Sequence, residues 1–218
     1  VRSSAALDVY KRQELELGDY ESAKADFDQA ISMDPKNYDR LIEIYEALAA
    51  HGYREVGQEY LQNVLDTAKQ LDAYDSGRIY YYLGEYQKAY LALDEARDKG
   101  GADSYLYLGR AYAATGDYNY ASSVYNNYLS KQGPNAEIYN ELGLCEMAKK
   151  EYQNALAAFQ AGKQIEGNSL MQTLCFNEIV AYEYLEDYQQ AEILMNAYLQ
   201  NYPDDQTAIR EQQFLSTR

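Results

Sequence analysis

Five short segments of this chain end one stretch and begin another in nearly the same words. Leu17-Gly18-Asp19-Tyr20-Glu21-Ser22-Ala23 returns as Leu83-Gly84-Glu85-Tyr86-Gln87-Lys88-Ala89 and again as Thr115-Gly116-Asp117-Tyr118-Asn119-Tyr120-Ala121. Looser copies stand at Lys150-Glu151-Tyr152-Gln153-Asn154-Ala155 and Glu186-Asp187-Tyr188-Gln189-Gln190-Ala191. With Gly18, Gly52, Gly84, Gly116, Lys150 and Glu186 as equivalent points, the intervals are 34, 32, 32, 34 and 36 residues. A fixed period of this size marks units that bury their apolar faces only by stacking on their neighbours. Ala, Leu, Glu, Gln and Lys recur at helical spacing, with only 3 prolines in 218 residues, so the units are expected to be helical. The fold class read from the sequence is all-α, a right-handed α-solenoid of stacked antiparallel helix pairs.

The units resemble the tetratricopeptide repeat (TPR) of bacterial type, whose signature is a large aromatic, a Leu-Gly pair, a second aromatic, Ala-x3-Phe and a closing Pro. Tyr105, Leu108-Gly109, Tyr112, Ala121, Tyr125 and Gly133-Pro134 make the fullest copy; Tyr139, Leu142-Gly143, Ala155 and Phe159 make the next. Gly109 and Gly143 are expected to let the two helices of a unit approach closely, with Tyr125 and Phe159 filling the space beside them. Gly84 and Gly116 are expected to end first helices at positive φ. Residues 38–66 and 172–204 depart from the pattern, with Gly57 at the Ala place and Glu178-Ile179 at the Leu-Gly place. The expected organisation is a solenoid over 14–204, in units 14–36, 37–69, 70–101, 102–134, 135–169 and 170–204. A C-terminal capping helix follows at 205–218. Residues 1–13 read as an adapter-like, non-native tail, which leaves a missing native N-terminus and either a cytoplasmic or a lipoprotein-like envelope location open.

The net charge of −16 speaks against binding nucleic acid, which requires a basic footprint. It is compatible with a basic partner or simply with a solvated acidic surface. No run reaches the length of a membrane span. Cys145 and Cys175 fall about six residues out of register on consecutive first helices, roughly 9 Å along the axis. They are expected to be buried, free thiols. His51 sits beside Gly52 as a helix-terminal residue, and no catalytic, metal-ligating or cofactor-binding pattern stands out; the chain reads as non-enzymatic.

In the TPR family the first helices line a groove that commonly takes extended peptides. Transferred onto this sequence, the resemblance implies groove-facing positions at Asp39, Ile42, Glu46, Tyr74, Arg78, Tyr81 and Tyr82. Further along it implies Asp103, Leu106, Arg110, Asn140, Leu144, Thr173, Phe176 and Val180. The candidate peptide contacts are Tyr74, Arg78, Tyr81, Tyr82, Arg110 and Asn140, with the two guanidinium groups suited to a carboxylate-bearing peptide. The competing expectation is that Arg78 and Arg110 pair with carboxylates of the chain itself, such as Asp75, Glu46, Asp103 or Glu141. The residues by which some family members clamp chaperone C-termini are absent here. A protein or peptide partner is therefore the leading functional expectation. Glycan or ligand binding through some of the 26 tyrosines, or a regulatory role in a larger protein, is the alternative.

Overall fold

The computed structural model describes residues 20–97 and 101–218. The adapter-like tail and Gly18 lie outside the described residues. Among those described there are twelve α-helices and no strand. They are α1 (Tyr20–Met33), α2 (Tyr38–Ala50), α3 (Arg54–Thr67), α4 (Ala73–Tyr82), α5 (Tyr86–Ala96) and α6 (Gly101–Ala114). After these come α7 (Tyr118–Gln132), α8 (Ala136–Ala148), α9 (Tyr152–Lys163), α10 (Met171–Tyr184), α11 (Tyr188–Asn201) and α12 (Gln206–Leu215). The chain forms two compact units, residues 1–92 and 93–218, with the division inside α5. Each is all-α: in the first, α1 packs on α2, α2 on α3 and α3 on α4, and in the second each helix from α6 to α12 packs on the next in sequence.

The recurring phrase is a turn and a cap together. Gly52, Gly84 and Gly116 sit at φ 87°, 78° and 85°, the left-handed conformation that closes a helix. In each turn the following N–H reaches back across the last helical turn: Asp117 N to Tyr112 O at 3.0 Å, Glu85 N to Tyr80 O at 2.9 Å and Asp187 N to Tyr182 O at 3.0 Å. The Asp of the phrase then opens the next helix. Asp117 accepts from Tyr120 N and Asp187 from Gln190 N, each at 3.1 Å, which satisfies an otherwise orphaned donor. Lys150 and Glu186 hold the glycine position at φ 64° and 61°. A side chain there costs on the order of 1 kcal/mol, and the repeat geometry imposes it.

In the unit of residues 1–92, one core joins Ala23, Phe27, Ile44 and Leu48 across α1 and α2. A second joins Leu41, Ile42, Tyr45, Leu61 and Ile79 across α2, α3 and α4. Ile42 belongs to this core rather than to a ligand-facing surface. In the unit of residues 93–218, Tyr105, Leu108, Tyr125, Ile138 and Phe159 are fully buried. Leu106, expected in the groove, is buried with them. Gly109 and Gly143 act as the sequence implied. A Cβ on Gly109 would stand 2.3 Å from Tyr125 Cζ, and one on Gly143 would stand 2.3 Å from Phe159 Cε1. Farther along, Ile179, Ala191, Met195, Tyr198, Ala208 and Leu215 form one cluster that seats α12 against α10 and α11.

Cys145 and Cys175 are free. Burial pushes the Cys145 thiol up to about 12, which leaves it unreactive at neutral pH. Cys175 is only half-buried: it faces a cavity beside the Lys163–Glu178 ion pair instead of the full core expected for it. His51 terminates α2, its Nδ1 2.8 Å from Ala47 O.

Candidate functional site

Polar side chains bridge neighbouring first helices in both units. The helices run parallel two apart in sequence, so residues at similar heights come opposite one another. In residues 1–92, α4 meets α2. Arg78, only 7% exposed, donates through Nη1 to Asp39 Oδ1 and through Nη2 to Asp75 Oδ1, both at 2.5 Å. Its guanidinium carbon also lies 4.3 Å from the centre of the Tyr74 ring. Burial by itself would lower the Arg78 pKa; the bonds to Asp39 and Asp75 override it and raise it. One turn later Tyr82 OH donates to Glu46 Oε1 at 2.6 Å, and Tyr81 meets the Tyr82 ring edge-on at 5.4 Å.

In residues 93–218 the bridging runs from α6 through α8 to α10. Arg110 Nη2 donates to Glu137 at 2.9 Å and to Glu141 at 2.7 Å, and its Nε donates to Glu141 at 3.0 Å. Burial again opposes the charge of Arg110, and Glu141 followed by Glu137 outweighs it, so the pKa rises. Asn177 Nδ2 donates to Asn140 Oδ1 at 2.9 Å, and Asn140 is 8% exposed.

The two arginines singled out in the sequence are thus both tied down, Arg78 to its own helix and the preceding first helix, Arg110 to the following one. Each carries two carboxylates of its own chain, as the competing expectation held, although Asp39 and Glu137 stand where Glu46 and Asp103 were also possible. With two anions to one cation, each cluster is left net negative. That charge does not suit a carboxylate-bearing peptide.

Asn177 lies between two cavities in the unit of residues 93–218. One, of about 420 Å³, is lined on the α8 side by Leu144 and Met147 and on the α10 side by Val180 and Tyr184, with Phe159 at its floor. Leu144 is 43% exposed and Tyr184 57%, and Tyr184 stacks on Tyr152 at 5.0 Å. The other, of about 290 Å³, is lined by Gln172, Thr173, Phe176, Tyr198, Asp205 and Thr207. There Tyr198 OH donates to Asp205 Oδ2 at 2.6 Å while Asp205 Oδ1 caps α12. The Tyr198 bond leads the interactions that hold the Asp205 carboxyl below its ordinary range.

Leu144, Thr173, Phe176 and Val180, expected in the groove, line these cavities. Asn177 is absent from the candidate contacts, as are Met147 and Tyr184. For Asn177 and Tyr184 the signal is the i, i+3, i+4, i+7, i+11 series Thr173, Phe176, Asn177, Val180, Tyr184, a second helical face beside the core face of Leu174, Glu178 and Ala181. Tyr81 and Tyr82 pack edge-on, and Tyr105 and Tyr125 are buried. No described helix is long and apolar enough to cross a membrane.

This architecture, helix pairs with Leu-Gly packing and bridged first helices, is that of a tetratricopeptide repeat. Models of that repeat match residues 15–37, 74–121 and 108–168, more than half of the chain, and the chain belongs to the TPR family. Among solved structures it is similar to PilW, a type IV pilus biogenesis factor, with 17% identity, 97% of each chain covered and a TM-score of 0.68. PilF of Pseudomonas aeruginosa matches at 17% identity over 98% of this chain and 97% of that one, TM-score 0.56. YrrB, described as a TPR protein with an unusual peptide-binding site, matches at 18% identity over 86% and 97%, TM-score 0.56. At these identities the likeness is one of fold. A comparison with curated proteins finds no match.

Proposed function

We propose that this chain is a non-catalytic protein-interaction module that holds an extended polypeptide segment on the first-helix face of residues 93–218. The observation that carries this reading is the Asn140–Asn177 pair, an amide bridge between α8 and α10 with a cavity on either side of Asn177. A carboxamide has two donors and two acceptor sites. After the bridge, Asn177 retains its carbonyl and an N–H, which match the alternating N–H and C=O groups of an extended backbone. Peptide binding by YrrB is in keeping with such a use of the fold. Arg110 contributes by fixing Glu137 and Glu141, and hence the heights of α6 and α8, rather than by touching the ligand. In the unit of residues 1–92, Arg78 and Tyr82 are held in the same manner by Asp39, Asp75 and Glu46, Tyr74 lies against the Arg78 guanidinium, and Tyr81 packs on Tyr82. There the proposal gives them a bracing role.

The test uses the full chain and a peptide selected from a random decapeptide library. Asn140→Ala combined with Asn177→Ala should weaken the peptide by about 5- to 150-fold, since a backbone left without its partners loses about 1–3 kcal/mol. The melting transition should shift little, because both amides lie outside the hydrophobic clusters. Unaltered affinity in a folded double variant, or a library that yields no binder, removes the proposal.

A further inference from the structure

The first-helix face of residues 93–218 carries a net-negative cluster at one end and a side-chain-sized cavity at the other, and the two together specify a ligand. Asn140 meets Asn177 across one hydrogen bond, and Leu144 and Val180 share one cavity, so α8 and α10 run the same way. At their N-terminal ends lie Glu137, which is 45% exposed while it shares Arg110 with Glu141, and the cavity lined by Gln172, Thr173, Phe176, Tyr198 and Asp205. The amide pair stands in the middle. At the C-terminal ends lies the cavity lined by Leu144, Met147, Val180 and Tyr184, with Lys150 also on its wall.

We infer that this face takes a segment with a basic side chain at the Glu137 end and one large apolar side chain in the Leu144–Val180 cavity. This rests on the polypeptide-binding reading above. Three observations set the ligand's chemistry. Carboxylates outnumber guanidinium groups two to one at the Arg110 cluster, within a chain of net charge −16. A cation is therefore attracted there and an anion repelled. The Leu144–Val180 cavity, about 420 Å³, is ample for one aliphatic or aromatic side chain, since a dry cavity of roughly 150 Å³ already holds a benzene ring. The spacing follows from the helix. Seven residues separate Thr173 from Val180, roughly 10 Å at 1.5 Å per residue, and an extended chain covers that distance in about three residues at roughly 3.3 Å each. The preferred segment thus carries its basic and apolar residues three positions apart, with the backbone between them against Asn140 and Asn177.

A positional-scanning decapeptide library applied to the full chain should enrich Leu, Ile, Phe or Met at one position and Lys or Arg three positions away. With the best peptide carrying a fluorescent label, anisotropy should show at least a tenfold loss of affinity in Leu144→Asp, and a smaller loss in Leu144→Ala should the charged variant fold poorly. The same peptide with Ala at its apolar position should bind weakly and be indifferent to both variants. Glu137→Lys should shift the preference from Lys toward Glu at the basic position. Enrichment of acidic residues, an absence of positional preference, or affinity insensitive to Leu144 overturns this inference while leaving intact a backbone-binding site that still depends on Asn140 and Asn177. Loss of that dependence overturns the underlying reading instead.

Discussion

Gly143→Ala is expected to destabilise the chain by about 2 kcal/mol, although alanine is the better helix former. In an exposed helix the exchange would gain about 1 kcal/mol. Here the new Cβ would meet Phe159 at 2.3 Å from Cε1, 2.6 Å from Cδ1 and 2.7 Å from Cζ. Phe159 is fully buried, so the ring or the helix pair must shift to admit the new atom. Overpacking of this kind costs about 1–3 kcal/mol or more, and a contact this short belongs at the upper end. Gly109→Ala against Tyr125 should behave alike, since the Cβ would stand 2.4 Å from Tyr125 Cε1. Shrinking the ring separates the clash from any other effect of the glycine. Phe159→Leu alone should destabilise, yet in combination with Gly143→Ala the loss should be less than the sum of the two. Urea unfolding of the full chain reads all four variants. A Gly143→Ala protein more stable than the parent would show that the helices do not meet as closely as described.

Glu178 gives the second large effect. It occupies the place that Leu108 and Leu142 hold in the preceding units, and it is 5% exposed. It accepts from Gln160 Nε2 at 2.9 Å and pairs with Lys163. Burial would lower the Lys163 pKa, and the bond to Glu178 more than reverses that. Removing one member of a buried pair costs about 3–5 kcal/mol. Lys163 is partly exposed and can swing toward water, so Glu178→Ala should cost about 2–3 kcal/mol. Replacing both, Glu178→Leu with Lys163→Met, restores the residue type of the other units and should leave stability unchanged or improve it by about 1 kcal/mol. A thermodynamic cycle over the single and double variants measures the coupling. If Glu178→Ala is neutral, or if the apolar double variant is as damaged as the single one, the pair does not sit in the core as described.

These two sites also mark what the sequence could and could not disclose. Gly109, Gly143, Tyr125 and Phe159 were legible because their roles recur at one period and depend on local packing, which repetition makes visible. The turns at Gly84 and Gly116 were legible for the same reason, and the alignment even placed Lys150 and Glu186 at the glycine position. The N-caps Asp117 and Asp187 belong to that phrase too. Pairings between helices were less accessible. Arg78 recurs with Arg110 and looks like a binding pair. Yet Asp39 lies 39 residues before Arg78, and no local pattern shows that they meet. Leu106 and Ile42 were placed in the groove by counting along a helix, whereas neighbouring helices cover them from a second side. Asn177 escaped notice because α10 departs from the repeat, its apolar residues spread over two faces. In physical terms, periodicity reveals what each unit does for its neighbours, and a binding face is made from the residues left over.

Amide hydrogen exchange on the full chain, with and without the library-selected peptide, tests the polypeptide-binding reading most directly. Bound peptide should slow exchange in α8 and α10, residues 136–148 and 171–184, with weaker protection in α6 and little change in α7, α9 and α11. Protection concentrated on α7, α9 and α11, or absent from α8 and α10 at saturating peptide, would contradict the assignment of this face.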